Sequence, residues 1–440
     1  MDLLGKYRIQ RLLGEGATSK VFLAYDPFGN RDVAIKIVTR SDGSDGSDGS
    51  DGKAARYQKK FFIAEASLAG RLTHPHIVQI FDAVADADPA YIVMEYVRGG
   101  TLECHTRADR LLPVGDVLEM IFKCTRALDF AWRLGVIHRD LKPANIMRIE
   151  EPRSDGHHPP GTNVKVSDFG AAMSVSASET QVSGVGSPAY MSPQQIKEHP
   201  LNHQTDIFSL GVVMYQLLTG QLPFQGSNNY STMYQITHAE PVPPSELRPE
   251  LPASIDAIVM RALQKSLDDR YPTWDAFSFD LAEAFRGESL REQDNRIADS
   301  EKFNSLRRLA FFRDFTDVEL WEVVRLGNWH RVAGGQMLLR EGDSADGFFI
   351  LAEGELKVTK GRKLLNVLSA GECVGEMAWL TPERATRGAD VSTLRESVVI
   401  HLATASLERA SEPCRHRFDR AFLRILVERL ALANQRLTTV

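Results

Sequence analysis

Chemistry in this chain concentrates where charged side chains interrupt apolar or glycine-rich strings. The densest string is His138-Arg139-Asp140-Leu141-Lys142-Pro143-Ala144-Asn145, followed by Ser167-Asp168-Phe169-Gly170. Upstream, Gly14-Glu15-Gly16-Ala17-Thr18-Ser19-Lys20-Val21 lies between two strand-like runs. A hairpin this rich in small residues can fold its backbone over phosphates without Cβ clashes. The next run, Val33-Ala34-Ile35-Lys36, sets one lysine on an apolar stretch, where its charge is costly to bury without an anionic partner. Glu65, set among Phe61, Phe62, Ile63, Ala64 and Ala66, can supply that carboxylate from a following helix. Either residue alone would serve equally in a surface ion pair.

The elements that must position these residues show in the apolar periodicity. Strand patterns cover residues 7–13, 20–25 and 33–38, a helical pattern covers 57–72, and strand signal returns at 77–84 and 91–97. Helical patterns then dominate at 114–134, 206–218, 232–238, 255–263 and 274–285, with short strands around 140–170. Strands first and helices later is an α+β layout. Residues 287–304 are rich in Arg, Glu, Asp and Ser and read as a linker or solvated connecting helix. Beyond it, residues 334–400 alternate apolar and polar in short runs separated by glycine-bearing turns, the pattern of a small sandwich or barrel, and an amphipathic helix follows over 418–437. The Ser-Asp-Gly repeats of residues 41–52 contain nothing apolar to bury and read as a solvated loop.

Taken together, residues 5–286 resemble the protein kinase family, specifically the Ser/Thr kinases of bacteria. The resemblance implies a two-lobed α+β kinase fold over 1–286 that transfers the ATP γ-phosphoryl group to protein hydroxyls with Mg2+, chiefly by positioning and charge neutralisation. In it Asp140 accepts or orients the proton of the substrate hydroxyl, and Lys142 steadies the transferring group. Asn145 and Asp168 hold the magnesium ions. Lys36 pairs with the α and β phosphates and is oriented by Glu65, and Gly14 and Gly16 belong to the phosphate loop. Adenine lies between Leu13, Val21 and Ala34 above and Met147 below, with Met94 as gatekeeper and the backbone of Glu95 and Val97 at its edge. Asp206 braces the catalytic loop.

This chain departs from the family pattern in three places. The third glycine of the phosphate loop is Ser19. Gln194 stands where a glutamate would pair with Arg270, so the lobe is expected to be looser or Arg270 to find another partner. Residues 149–163 form a long hairpin whose His157-His158 reads as solvated loop rather than a metal pair. Arg139 is the residue that captures a phosphate in kinases switched on through their activation loop, which marks Thr180 or Ser183 for autophosphorylation.

Residues 305–440 resemble the cyclic-nucleotide-binding domain, on Glu341-Gly342-Asp343, Phe348-Phe349-Ile350-Leu351, Gly354, Gly375-Glu376-Met377-Ala378 and Arg387-Gly388-Ala389. The resemblance implies a mainly-β barrel with flanking helices. Glu376 receives the ribose 2′-hydroxyl, Arg387 faces the cyclic phosphate with backbone N–H groups, Gly375 lets the backbone approach, and Ala389 supplies the small residue after the arginine. Arg384 lies in the same stretch, but the residues after Arg387 fit the pattern better. Glycine at 388 removes the hydroxyl associated with cyclic GMP and leans the reading to cAMP. The apolar face of the last helix (Phe418, Phe422, Ile425, Leu426, Leu430) serves as a lid, a homodimer contact or plain core.

Composition agrees with an ordinary globular chain: 440 residues, 43% hydrophobic and 25% charged, with net charge −6. That charge offers no bulk attraction to nucleic acid, no apolar run is long enough for a membrane span, and the first residues carry no signal-peptide pattern. Four scattered cysteines read as reduced, buried thiols of a cytoplasmic protein. The expectation is a Ser/Thr kinase regulated by a cyclic nucleotide. Its competitors are a catalytically silent kinase-like scaffold and an active kinase whose C-terminal domain only docks.

Overall fold

The structure, a computed structural model, describes residues 3–15, 19–38, 65, 67–85, 89–150, 161–169, 173–174, 188–292, 297–361, 363–380 and 386–438. Gly16, the 41–52 tract, His157-His158, Thr180, Ser183 and Arg384 lie outside the described residues. The chain divides into two compact units, Met1–Asp294 and Asn295–Val440.

The first unit opens with a six-stranded sheet, ordered β1-β2-β3-β4-β6-β5, of β1 (Leu3–Leu4), β2 (Tyr7–Glu15), β3 (Ser19–Asp26), β4 (Arg31–Val38), β5 (Ile80–Val84) and β6 (Tyr91–Glu95). Period two decides which face each residue takes. Val33, Ile35 and Ile37 enter a core with Tyr7, Ala24, Tyr91 and Val93, which turns Ala34 and Lys36 to the opposite face. Register completes that face: Val21 lies opposite Lys36, and Ala34 opposite Met94. Of the helical pattern expected over 57–72, residue 65 is helical, residues 67–71 form turns and Gly70 takes a left-handed φ of +72°, while residues 57–64 and 66 lie outside the described residues.

The helical part of this unit comprises α1 (Val114–Arg133), α2 (Pro193–Ile196), α3 (His203–Thr219), α4 (Asn229–His238), α5 (Pro244–Leu247), α6 (Ala253–Ala262) and α7 (Trp274–Glu292). α1 packs against α3 and α7, and both α1 and α3 are buried over most of their length. Short ribbons pack on α1, with β7 (Val136–Ile137) pairing β10 (Met173–Ser174) and β8 (Ile146–Arg148) pairing β9 (Val164–Val166). Glycine is required at 99, where φ is +134° and a Cβ would collide with the Arg148 carbonyl, so the segment after β6 lies directly on β8.

The second unit begins earlier than its strand pattern announces. Residues expected in the 287–304 linker end α7 at Glu292 and start α8 (Asp299–Arg308). Phe303 of α8 is buried and stacks on Trp321 of α9 (Asp317–Leu326) at 4.7 Å, and with the buried Leu306 it anchors a mostly polar helix. Two four-stranded antiparallel sheets follow. One is ordered β11-β18-β13-β16, from β11 (Asn328–Val332), β13 (Gly347–Glu353), β16 (Cys373–Val374) and β18 (Ser397–Ala403). The other is ordered β12-β17-β14-β15, from β12 (Met337–Leu339), β14 (Glu355–Lys360), β15 (Lys363–Ser369) and β17 (Asp390–Thr393). Their inner faces share a core of Leu339, Leu351, Leu356, Leu368, Val374, Val391 and Val399. Three helices complete the unit: α10 (Met377–Leu380), α11 (Thr404–Leu407) and α12 (Glu412–Thr438). Of the apolar face expected on α12, Phe418 and Phe422 are core, buried among Phe311, Phe312, Phe315 and Phe348, and Ile425 and Leu426 are half-buried, while Leu423 and Val427, outside that face, are exposed.

Among the described residues no helix is long and apolar enough to cross a membrane. Cys124, Cys373 and Cys414 are buried as expected, but Cys104 is exposed, its thiol donating to the Thr101 carbonyl on a short surface helix.

Candidate functional sites

Lys36 leaves β4 on the face away from the core, and its ammonium meets two carboxylates, Glu65 Oε2 at 2.9 Å and Asp168 Oδ1 at 2.6 Å. Burial pulls the lysine toward neutrality, but Asp168 and Glu65 outweigh it and hold the amine above its ordinary value. Burial would likewise raise Asp168, yet Lys36 keeps it lowered and ionised, whereas Glu65 is raised by burial and only partly drawn back by Lys36. Asp168 has a left-handed φ of +63°, a strained setting for a non-glycine residue that its surroundings must impose.

Asp140 and its neighbours sit on the connection between β7 and β8, regular only in a 3-10 turn over Pro143–Asn145, so the placement of Asp140 depends on side-chain anchors. Asp206, buried in α3, accepts from the backbone N–H groups of His138 and Arg139 at 2.8 Å each. Arg139 is held there at φ +71°. His138 receives the Asp140 N–H at Nδ1, 3.3 Å away, which leaves Nε2 to donate to the Ser167 carbonyl at 2.9 Å. Its ring lies 4.5 Å from that of Phe169. One buried histidine therefore fixes the Asp140 loop to the segment carrying Asp168.

On that loop Lys142 Nζ donates to Asp140 Oδ2 at 2.8 Å. The Asn145 amide nitrogen donates to the Asp140 carbonyl at 2.8 Å and to Oδ2 at 3.2 Å. With that nitrogen committed, Asn145 Oδ1 is the atom left to meet a cation, and with the Asp168 carboxylate it forms the hard oxygen set that Mg2+ prefers. Sequence reasoning missed Gln195, which caps α2 through Ser192 and also donates from Nε2 to the Arg139 carbonyl at 2.8 Å. A glutamine on a short helix carries no local signal of that reach.

Register carries the remaining first-unit residues. Gly14 lies opposite Val21 on β2 and β3, and Leu13 falls in the bulge beside Gly14, partly exposed. Met147 on β8 bridges Thr101, and Val97 is buried just past β6. Glu95 donates its N–H to the Gln79 carbonyl at 2.8 Å and takes Lys165 on its carboxylate at 2.8 Å. Arg139 Nε is buried without a hydrogen-bond partner, and burial lowers its guanidinium despite Asp206.

Arg270 resolves the Gln194 departure. It is wholly buried, donating from Nε to Gln264 O at 2.9 Å, from Nη1 to Gln204 O at 2.7 Å, and from Nη2 to Gln264 O at 2.7 Å and Gln194 Oε1 at 3.1 Å. Neutral oxygens thus take the place of a carboxylate, and burial pushes the guanidinium down to about 9.

In the second unit a cavity of about 310 Å³ opens between β12, β14, β15 and β17, lined among others by Val358, Asn366, Gly375, Glu376, Arg387 and Ala389. Its size suits a small organic ligand. Glu376 and Arg387 are both buried. Arg387 Nη1 donates to Gly347 O at 2.7 Å and Nη2 to Asp346 Oδ1 at 3.3 Å, and burial lowers the guanidinium against the pull of Asp346 and Asp343. Gly375 has φ +78°, and a Cβ there would strike Arg387 Nη1, so glycine makes room for the guanidinium itself. A buried arginine fork and a buried carboxylate in one apolar cavity suit a ligand with a phosphate and a hydroxyl.

Comparison with known proteins matches one domain family within each unit. Residues 7–278 match the protein kinase domain and residues 329–412 the cyclic nucleotide-binding domain. The serine/threonine-protein kinase PknB of Mycobacterium leprae is 37% identical over 294 residues, covering 65% of this chain and 44% of that protein. PknB of Mycobacterium tuberculosis is 35% identical over 317 residues, covering 70% and 47%. A probable serine/threonine-protein kinase of Streptomyces coelicolor is 35% identical over 294 residues, covering 65% and 41%. The chain spans less than half the length of these relatives. With its strands, the Asp140 loop and the Lys36–Glu65 and Lys36–Asp168 pairs arranged as described, the chain belongs to the protein kinase family, its kinase domain followed by a cyclic nucleotide-binding domain.

Proposed function

We propose that this chain transfers the γ-phosphoryl group of ATP to serine or threonine hydroxyls of proteins in the cytosol, under control of a cyclic nucleotide bound to its second unit. The observation that carries the phosphoryl-transfer reading is the charge arrangement around Lys36. Its ammonium is held ionised between Glu65 and Asp168. From there it can neutralise the α and β phosphates. Adenine would occupy the sheet face of Leu13, Val21, Ala34 and Met94, with Met147 below and the backbone of Glu95 and Val97 at its edge. Asn145 and Asp168 would hold Mg2+, whose charge neutralises the phosphate oxygens. Asp140 takes or orients the hydroxyl proton, and Lys142, already on Asp140 Oδ2, steadies the phosphoryl group between them. Arg139, with a buried unpartnered Nε, is suited to capture a phosphate placed on Thr180 or Ser183.

In the second unit Arg387 is suited to a cyclic phosphate and Glu376 to a ribose hydroxyl, with Gly375 and Ala389 keeping the wall clear. Glycine at 388 offers no hydroxyl to a guanine, which favours cyclic AMP over cyclic GMP. The test is phosphorylation by the purified chain, with radiolabelled ATP and Mg2+, across a titration of each cyclic nucleotide. The expected result is incorporation that changes with cyclic AMP at lower concentration than with cyclic GMP. No incorporation under any condition favours the silent scaffold. Incorporation indifferent to a bound nucleotide favours the docking module.

A further inference from the structure

Arg387 shares its carboxylate partner with a histidine. Asp346 Oδ1 lies 3.3 Å from Arg387 Nη2 and 3.7 Å from His401 Nε2. The Asp346 side chain is 76% exposed, against 5% for Arg387 and 17% for His401, so the carboxylate is the member free to move between two sheltered nitrogens. Everything around it is fixed. The Asp346 carbonyl accepts the Thr404 N–H at 2.9 Å, and Gly347 pairs with Ala403. The His401 ring stacks on Phe349 at 4.6 Å, and its buried Nε2 makes no hydrogen bond.

We propose that His401 is a positioning residue for ligand entry: when protonated it draws the Asp346 carboxylate off Arg387 and so frees the guanidinium for a ligand phosphate. The proposal rests on the reading of the cavity as a cyclic-nucleotide site. A phosphate and a carboxylate on one guanidinium repel each other, so the ligand must displace Asp346 or share poorly. Moving the carboxylate toward an imidazolium gives it a second cation.

The charged groups facing His401 set the sign. Asp346 precedes β13, Arg387 precedes β17, and His330 comes from β11, while Phe349 on β13 is neutral. Burial lowers His401 most, Asp346 opposes it, and His330 and Arg387 push further down. A phosphate on Arg387 cancels that cation's push and releases Asp346 to the ring. Both changes raise His401, so binding takes up a proton. Affinity therefore falls as pH rises through the histidine range, by at most about tenfold per pH unit for one proton.

The test measures affinity of the full chain for cyclic AMP and cyclic GMP by calorimetry, from about pH 5.5 to about pH 8.5, in buffers of different ionisation heat. The expected result is a loss of roughly three- to tenfold between about pH 6 and about pH 8, with net proton uptake. His401→Asn flattens the profile at its weak, alkaline limit. Asp346→Asn moves affinity toward the strong limit, because the competing carboxylate is gone, and keeps only the smaller slope that comes from the phosphate cancelling the push of Arg387. A merely structural role for His401 would weaken binding at every pH and keep the slope. A flat profile without proton uptake in the unmutated chain, or a slope that survives His401→Asn, overturns the proposal. If neither nucleotide binds at any pH, the cavity reading fails, and NMR titration of the His401 ring decides the proposal. Arg387→Ala must then raise the His401 midpoint and Asp346→Asn lower it, and unmoved midpoints overturn it.

Discussion

Replacing Gln194 by glutamate tests whether Arg270 is held by charge or by geometry. The guanidinium is wholly buried and its hydrogen-bond acceptors are neutral, three backbone carbonyls and the Gln194 amide oxygen at 3.1 Å. Burial lowers it from 12.5 to about 9. At about 1.4 kcal/mol per unit, this is roughly 5 kcal/mol of unfavourable charge burial that the carbonyls leave uncompensated. A carboxylate at the Oε1 position converts a neutral hydrogen bond worth about 1 kcal/mol into a charge-assisted one worth about 1.5–3 kcal/mol, and its Coulomb attraction offsets much of its own desolvation. Against this stands the loss of the Gln194 Nε2 donor to the Lys265 carbonyl at 3.1 Å, about 1 kcal/mol. Those hydrogen-bond terms nearly cancel, so the balance rests on the roughly 5 kcal/mol of charge burial: relief of about a third of it makes Gln194→Glu stabilising by about 1–2 kcal/mol, a rise of roughly 2–6 °C in the first unit's thermal transition. Gln194→Ala, which removes both bonds, should lower the same transition. Calorimetry of the full chain reads both. A Gln194→Glu variant no more stable than the parent would show that the carbonyl cage already satisfies Arg270, and the charge argument would fall.

Lys36→Met and Asp140→Asn should each abolish phosphoryl transfer while leaving the unfolding transition in place, as read by radiolabel incorporation beside circular dichroism. Asp206→Asn can accept only one of the two N–H groups of His138 and Arg139. Its amide then faces the other, which should cost about 2–3 kcal/mol of stability and at least tenfold in rate at saturating ATP. Lys265 is lowered to about 8 by burial, its ammonium 3.6 Å from the centre of the Phe224 ring. Since this folded value lies below the unfolded one, its charge destabilises the fold below about pH 8, and the penalty fades as pH rises from there toward the unfolded value. Lys265→Met should therefore stabilise the chain at neutral pH by about 1–2 kcal/mol, after discounting for partial solvent access, with the gap closing in alkali in denaturant melts. Gly375→Ala should weaken cyclic-nucleotide binding more than tenfold, since its Cβ would displace the Arg387 guanidinium, and fluorescence titration reads the loss.

What the sequence made legible was chemistry written in contiguous strings and in simple periods. Lys36 could be placed on the ligand face because Val33, Ile35 and Ile37 alternate with it, and period two needs no partner strand to be read. Asp140, Asn145 and Asp168 announced themselves by neighbours within a few residues. Phe303 did not. A single aromatic residue in a charged stretch reads as linker until Trp321 is seen beneath it, which is why residues 299–304 were expected outside the second unit.

The same limit explains which site contacts stayed hidden. Gln195 reaches Arg139 across 56 positions, Asp346 reaches Arg387 across 41, and Arg270 reaches Gln204 across 66. None of these pairs has a spacing that a helix or strand would repeat, so each exists only once the fold has closed the chain between them. They also share a physical role: each supplies a hydrogen bond to a buried or strained group that the local sequence leaves unsatisfied. Most of the legible residues are those that would meet the ligand; the hidden ones, with the legible Glu65 and Asp206, hold those residues still. A chain that kept the Asp140 and Arg387 strings but lost Asp206 or Gly375 would still read as a kinase with a nucleotide sensor. Its catalytic loop would have lost two anchoring bonds, and its guanidinium would have lost the space it occupies.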